Sequence, residues 1–424
     1  MRSLLLVTLI LVGCDETTPA MDAGSDAGPP AALDAGEQPL PDPPMSEPGR
    51  HDVTVLETRR VIPGDGFPAE TVAQHSNNNL DVIRHDGRVY LAWRTAPDHY
   101  AGPDTVIHVV SSADELVWDF EGSYTMGTDL REPRFLSLGG SLFLYIAVLG
   151  SNQLAFEPMG VMVTERRADG TWTALEAVPG LDGYIAWRTR TERGTPYMTA
   201  YLGGEHIYLF DGLPLSVDLL TTTDGRAWTP VDPARRTIYM GGGSETDFTI
   251  GDDGTLFGII RNEAGDDSGW GSMVCRAPAG DLANWDCHND PRKYDSPLMF
   301  WHDGEAYLVG RRQVTQTGNY DLMTRRGTHT AQTAANQIPY TQTPKRCALW
   351  RYVQSEDRIA FVLDLPSGGD TCFPAWLEGE SADEIVLYNY SNDVDDPATA
   401  RLAWNQGQVG DTFIYRHVLR FTPR

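Results

Sequence analysis

A short phrase recurs along this chain: a charged or polar cluster, an apolar run, a tight Gly turn and a second apolar run. It is clearest at Asp86-Gly87-Arg88-Val89-Tyr90-Leu91-Ala92-Trp93-Arg94. It returns at Gly139-Gly140, Gly204-Glu205, Asp253-Gly254 and Asp303-Gly304, with a looser copy at Ala382-Asp383-Glu384. The anchoring residues Gly87, Gly140, Gly204, Gly254 and Gly304 are 53, 64, 50 and 50 residues apart. That period fits one four-stranded sheet per repeat, the blade of a β-propeller. From residue 51 onward the apolar runs are short and bounded by Gly, Asp, Asn or Pro, and no long stretch keeps helical period. The expected fold is all-β: six blades over residues 75–120, 129–176, 183–231, 244–288, 294–364 and 370–424. Five blades is the alternative, because 313–364 divides poorly. A strand over 54–62 is expected to join the last blade and close the ring, removing exposed edges.

The N-terminus does not belong to this pattern. Arg2 precedes an uncharged apolar run from Leu4 to Val12, too short to span a bilayer as a helix. The run ends in Leu11-Val12-Gly13-Cys14, which resembles the lipobox of bacterial lipoproteins; the resemblance implies that residues 1–14 are a signal peptide and that Cys14 is the acylated residue. Residues 15–50 are dominated by Pro, Ala, Gly and Asp and have almost nothing apolar to bury, so they are expected to be a disordered acidic linker. Such a coil reaches roughly 30–35 Å by the square-root law. Residues 51–424 form the propeller domain. Four further cysteines suit an oxidising compartment, and the expected pairs are Cys275 with Cys287 and Cys347 with Cys372. Without a CxxC, no zinc site is expected, and no cofactor. A net charge of −26 excludes nucleic acid as partner and is read as solubility.

Antiparallel pairing tells where a site can lie. The start of each blade's first strand and the end of its second strand fall at the same end of the sheet, opposite the Gly turn. The first set holds Asn77, Asn78, Asn79, Asp81, Asp129, Arg131, Glu132, Tyr184, Trp187, Arg188, Glu245, Asp247, Tyr294, Asp295 and Asp370; the second holds Arg94, Arg261 and Arg311, with Glu263 and Tyr388 near them. Carboxylates, arginines and aromatics converging on an axis suit a polyhydroxylated ligand. Carboxylate pairs serve as acid and base in glycoside cleavage, and arginine forks match a substrate carboxylate. The candidate catalytic residues are therefore Glu245, Asp247, Asp295 and Glu132. The candidate substrate-binding residues are Asn78, Asn79, Arg94, Arg131, Trp187 (as a flat platform), Arg188, Arg261, Arg311 and Asp370. Asp86, Asp253 and Asp303 are read as turn formers, and His75, His99 and His206 as isolated.

A second motif keeps the register of the repeat. Asp114 and Trp118 lie 27 and 31 residues after Gly87; Asp281 and Trp285 lie 27 and 31 residues after Gly254; Asp224 and Trp228 repeat the spacing. Here Asp is expected to accept turn amides and Trp to pack between sheets. These segments resemble shortened Asp-boxes of sialidase-like propellers. Ser76-Asn77-Asn78-Asn79-Leu80-Asp81, Asp129-Leu130-Arg131-Glu132-Pro133-Arg134 and Leu365-Pro366-Ser367-Gly368-Gly369-Asp370-Thr371 also look like that family, over most of residues 51–424. The resemblance implies a six-bladed propeller with an axial sugar site. Sialidases use an arginine triad, a tyrosine nucleophile paired with a glutamate, and an aspartate acid/base. Arg60-Val61-Ile62-Pro63 is the nearest match to their Arg-Ile-Pro element, with one extra residue. By repeat position Arg94, Arg261 and Arg311 would form the triad, Glu245 would be the glutamate, and Tyr294 or Tyr388 the nucleophile.

Three readings follow. The chain is a monomeric, lipid-anchored glycosidase of the bacterial cell envelope, acting on a terminal sugar of a carbohydrate or glycoconjugate and touching the membrane through its anchor only. Or it is a non-catalytic surface lipoprotein that binds glycan or protein. Or it is a structural envelope protein, with its axial mouth plugged.

Overall fold

The computed structural model describes residues 39–153 and 155–424; Cys14 and the signal region lie outside them. A compact unit runs Asp42–Arg424, so it starts upstream of the boundary expected at residue 51. Residues before the first strand dock on the body: Ser46 Oγ donates to the Val362 carbonyl at 2.7 Å, and Arg358 Nη2 donates to Glu47 at 2.8 Å.

The domain is a six-bladed β-propeller. Blade 1 is β2 (Ser76–His85), β3 (Arg88–Ala96), β4 (Val106–Ser112) and β5 (Asp119–Tyr124), following β1 (His51–Ile62) in the chain. Blade 2 is β6 (Asp129–Leu138), β7 (Ser141–Leu149), β8 (Pro158–Arg166) and β9 (Glu176–Asp182). Blade 3 is β10 (Ile185–Glu192), β11 (Thr195–Leu202), β12 (Leu215–Thr221) and β13 (Thr229–Pro230), with β14 (Thr237–Gly241) also on β12. Blade 4 is β15 (Gly243–Ile250), β16 (Leu256–Asn262), β17 (Ser272–Ala277) and β18 (Asp286–Asp290). Blade 5 is β19 (Asp295–His302), β20 (Glu305–Gln313), β21 (Lys345–Val353) and β22 (Arg358–Asp364). Blade 6 is β23 (Ala375–Glu378), β24 (Glu384–Ser391), β25 (Phe413–Pro423) and, from the other end of the chain, β1. Pairing from His51↔Pro423 to Ile62↔Ile414 closes the ring, as expected for residues 54–62.

Burial explains the sequence pattern. The second strand of a blade is sandwiched by its neighbours on both faces, so β7 reads as an unbroken apolar run, Leu142 to Leu149, every residue buried. The outermost β5 reads Asp-Phe-Glu-Gly-Ser-Tyr and is exposed or half-buried throughout. Large side chains fill the seams between blades; Leu298, Phe300, Tyr307, Leu387, Leu419 and Phe421 join blades 5 and 6.

Two features depart from the sequence reading. The hairpin of blade 3 turns at Arg193-Gly194, between β10 and β11, not at Gly204; residues Gly204–His206 form a short 3-10 turn in the β11–β12 loop. And the poorly divided stretch holds a helix, α1 (His329–Thr341), inserted between β20 and β21. Its buried face is Thr333, Asn336, Gln337 and Tyr340, mostly polar, so it lacks the apolar stripe that reveals helices in sequence.

Both disulfides pair as expected. Cys275–Cys287 staples β17 to β18, and Cys347–Cys372 ties β21 to the segment entering blade 6, with Cα separations of 4.1 and 5.1 Å. Such bridges belong to exported proteins of oxidising compartments. No helix among the described residues is long and apolar enough to cross a membrane. Two of the three Asp-x-x-x-Trp turns work as expected. Asp114 Oδ1 accepts from the amides of Leu116 and Val117, and Asp224 Oδ1 from those of Arg226 and Ala227. Asp281 instead faces Arg235 at 3.4 Å.

Candidate functional site

The innermost strands of blades 1 to 5 share a defect at the end opposite their Gly turns. Pairing skips between Asn78 and Leu80, Arg131 and Arg134, Ala186 and Arg188, Gly243 and Thr246, and Asp295 and Leu298. A β-bulge inserts residues into one strand and re-aims their side chains. Asn79, Glu132 and Ser296 hold φ of 40°, 50° and 51°, which only the surrounding packing can maintain in non-glycine residues. The bulged residues Asn79, Glu132, Ser244, Glu245 and Ser296 all face one axial cavity of about 80 Å³. Arg261, Glu263, Arg311 and Tyr390, at the ends of second strands, face it too. The convergence expected from strand polarity is therefore real.

Loops between second and third strands complete the wall. They bring His99 (blade 1), Phe156 (blade 2), Ile207 and Tyr208 (blade 3) and Trp404 (blade 6). Trp404 belongs to a short turn, α2 (Trp404–Gly407). Phe373, entering blade 6, and Tyr201, ending β11, also line the cavity.

The charges are tightly ordered. Arg261 lies among three carboxylates: Nη1 donates to Glu245 at 2.5 Å and Nη2 to Glu263 at 2.6 Å, while Nε stands 2.8 Å from Asp295 without a hydrogen bond. The other oxygen of Glu245 accepts from the Ser296 amide at 2.8 Å. Burial, and the nearby charges of Asp295, Glu263 and Glu132, push the Glu245 carboxyl up to about 7, against the pull of Arg261. Glu132 is held more loosely. Asn79 Nδ2 donates to its Oε1 at 2.9 Å, while Oε2 is buried without a hydrogen bond, 3.7 Å from Arg134 Nη2. Burial raises its carboxyl above the ordinary glutamate range, although Arg134 and the Asn79 bond oppose this. Asp295 is the counterexample: burial would raise it, but Arg261, Lys293 and Arg311 outweigh burial and hold it low.

Several expected site residues lie elsewhere. Asp247 is fully buried behind the cavity, bonded to Arg190 Nη1 at 3.0 Å and to the Met299 amide at 2.7 Å, because it lies past the bulge and points into the seam with blade 5. Asp295 precedes the bulge and is enclosed by Arg261, Lys293, Arg311 and Tyr340. Trp187 is no platform: it is 1% exposed and covered by Arg134 and Phe373. Arg188 is spent on the carbonyls of Pro297 and Pro374. Arg94 is enclosed by Asp129, Asn78 and two loop carbonyls, which also removes Asn78 from the wall. Asp370 stands one layer back, holding Tyr390, Trp404 and His99; His99, whose Nδ1 lies 2.7 Å from its Oδ2, is therefore not isolated. Of the nucleophile candidates, Tyr294 is buried on Asp290 and Tyr388 on Glu115, both outside the cavity wall. Arg60 lies over the Phe413 ring, away from the axis.

No protein-family model matches the chain, and no curated protein matches it. Solved structures do. A protein of unknown function from Dyadobacter fermentans superposes with a TM-score of 0.57 at 13% identity, over 88% of this chain and 99% of its own. The phage phi92 endosialidase gives 0.54 at 11%, over 88% and 70%. Trypanosoma rangeli sialidase gives 0.54 at 12%, over 87% of this chain and 59% of its own length. At these identities the likeness is one of fold, the six-bladed β-propeller.

Proposed function

We propose that this chain is a glycosidase that hydrolyses a terminal sugar held in the axial cavity, with Glu132 and Glu245 as its carboxylate pair. One observation carries the reading: two glutamates from different blades, each re-aimed by a bulge, face one cavity with raised carboxyl pKa values. Glu132 has one donor and one bare oxygen, so its protonated form is favoured; it gives its proton to the glycosidic oxygen as the bond to the anomeric carbon breaks. Glu245 has both oxygens hydrogen-bonded in its ionised form and stabilises the positive charge developing on the sugar; water then adds to the anomeric carbon and gives up its proton to Glu132, which restores the acid. Tyr201, Tyr208, Phe156 and Trp404 supply apolar faces for the ring. The cavity holds only two or three waters at about 30 Å³ each, so the sugar sits partly in the mouth, among the loops carrying Tyr208 and Trp404.

A second reading, a non-catalytic glycan-binding protein, is favoured by the ion pairing: Glu132, Glu245 and Glu263 on the cavity wall each have an arginine within 4 Å. Acylation at Cys14 would hold the domain at the cell envelope, and both readings are compatible with that and with a monomeric chain.

The test is a hydrolysis screen of the full chain against aryl glycosides, with Glu132→Gln and Glu245→Gln beside it. Turnover lost in a folded variant supports the pair. On this reading kcat/KM rises with pH through about 7, as Glu245 ionises. Turnover that survives both substitutions overturns it, and a chain silent on every substrate yet binding glycans favours the second reading.

A further inference from the structure

We infer that Arg134 is a positioning residue for Glu132: it holds a positive charge just out of contact with the proton donor and so sets how readily that proton leaves. The inference rests on the glycosidase reading and assigns the control of its acid. Arg134 follows Glu132 by two residues on β6, past the bulge, and is fully buried. Its Nη2 stands 3.7 Å from Glu132 Oε2, and neither atom has a hydrogen bond. A closed arginine–carboxylate pair would bring such atoms to about 2.7–2.9 Å. The guanidinium is kept from closing by the rings it rests on. Its central carbon is 4.4 Å from the Phe373 ring centroid and 5.0 Å from that of Trp187, and these two rings meet edge to face at 5.2 Å. Nη1 donates to the Leu80 carbonyl at 3.3 Å, which fixes the group further.

Such an arrangement is costly for a cation with only a packing role. Nε also lacks a partner. Burial, with the neighbouring charge of Arg188, pushes Arg134 down to about 9, so it is still charged at neutral pH. Asp81, another carboxylate near it, is already served by the Phe135 amide at 2.8 Å and by Arg188 at 3.8 Å. The other groups facing the Glu132 carboxyl are Arg131 on the same strand, Asn79 on β2, Arg188 on β10, Tyr201 on β11 and Glu245 on β15. Of the three arginines, Arg134 acts on it most strongly. A glutamate paired tightly with arginine would stay ionised and have no proton to give. One buried without any cation would hold its proton too firmly to release it. A cation fixed short of contact places Glu132 between these extremes.

The test is an NMR titration of the full chain carrying isotope-labelled glutamate, in which the Glu132 carboxyl signal is the one missing from Glu132→Gln. A nearby cation favours the ionised form, so removing it raises the pH at which Glu132 ionises. Arg134→Met is expected to raise that midpoint by about one pH unit or more. Arg134→Lys draws the charge back along a shorter side chain and should raise it by less; it decides the matter if Arg134→Met does not fold. The pH optimum of turnover should move up with the midpoint. A midpoint unmoved in variants with an intact melting transition overturns the inference and, where turnover persists, leaves the glycosidase reading standing. A midpoint that moves in a chain without turnover on any glycoside supports the control of Glu132 by Arg134 and counts against the glycosidase reading.

Discussion

The two ends of each blade are made from the same strand pairs and differ in almost every physical respect. At the Gly-turn end the chain reverses in open space: a Cβ added to Gly87, Gly140 or Gly194 would meet nothing within 4 Å. Asp253 there is exposed and serves its own turn, accepting from the Thr255 amide at 2.9 Å. At the axial end the strands are bulged, and Glu245, Arg261 and Asp295 are held together almost without solvent. Turn residues at the first end can be read one blade at a time. At the second, the role of each residue is set by neighbours from other blades, so substitutions there propagate.

The largest effect that would separate the two ends is on chemistry. Glu132→Gln is expected to lower kcat by about 10²–10⁴-fold, the usual contribution of a positioned proton donor, with little change in melting temperature. Asp253→Asn, at the turn end, should leave kcat unchanged. Equal losses in the two variants, measured by single-turnover kinetics, would erase the distinction.

Next in size is a buried charge stripped of its partner. Asp295 neutralises Arg261, Arg311 and Lys293 at 2.8, 3.5 and 3.6 Å. Asp295→Ala strands these cations and is expected to destabilise the fold by about 3–5 kcal/mol in denaturant unfolding. A loss under about 1 kcal/mol would mean that the cluster is solvated rather than sealed.

How far the sequence could be read follows the same division. The Asp-Gly turns announced themselves, because a two-residue reversal leaves its chemistry in the residues that make it. Strand polarity alone located Asn79, Arg131, Glu132, Glu245, Arg261 and Arg311 on the wall. It erred at Asp247, because a strand has period two and a bulge changes which face each later residue meets; at Asp295, which precedes its bulge and is enclosed by cations; and at Trp187, which sits within a bulge and is covered by Arg134 and Phe373. The bulges themselves carry no sequence signature beyond Glu132-Pro133 and Ser296-Pro297. His99, Phe156, Tyr208 and Trp404 come from loops, where no periodicity relates a residue to the axis. Glu263 stood next to a flagged arginine, and its pairing with Arg261 was the available signal. The helix α1 escaped because its buried face is polar.

Between the two ends, the closing blade offers a pH test. His417 of β25 is wholly buried opposite Thr58 of β1, whose hydroxyl lies 3.0 Å from Nδ1, and burial alone pushes the imidazole down to about 4. From pH 6.5 down to about 4 the unfolded chain takes a proton that the folded chain refuses. The stability present above pH 6.5 is therefore lost as pH falls through that window, by about 3 kcal/mol for a shift of this size. His417→Gln should flatten the fall in melting temperature between pH 7 and 4. An unchanged slope would assign acid sensitivity to the carboxylates of the mouth instead.

The smallest effect compares left-handed residues at the two ends. Ser296 and Asp303 have φ of 51° and 40°. An L-residue in this region costs roughly 1–2 kcal/mol, and glycine avoids that cost while losing about 0.5–1 kcal/mol more chain entropy on folding. By backbone terms alone both Gly variants should be neutral or gain up to about 1 kcal/mol. Asp303, however, also gives its carboxylate to His51 Nε2 at 3.1 Å across the blade 5–6 seam, while the Ser296 amide holds Glu245 through backbone that a glycine retains. Ser296→Gly should therefore be the more stable of the two in a melting comparison. It should also loosen the blade 5 bulge whose amide holds Glu245, raising KM or lowering kcat where Asp303→Gly changes neither. If the two variants match in both stability and kinetics, the strain at the mouth is incidental to the site.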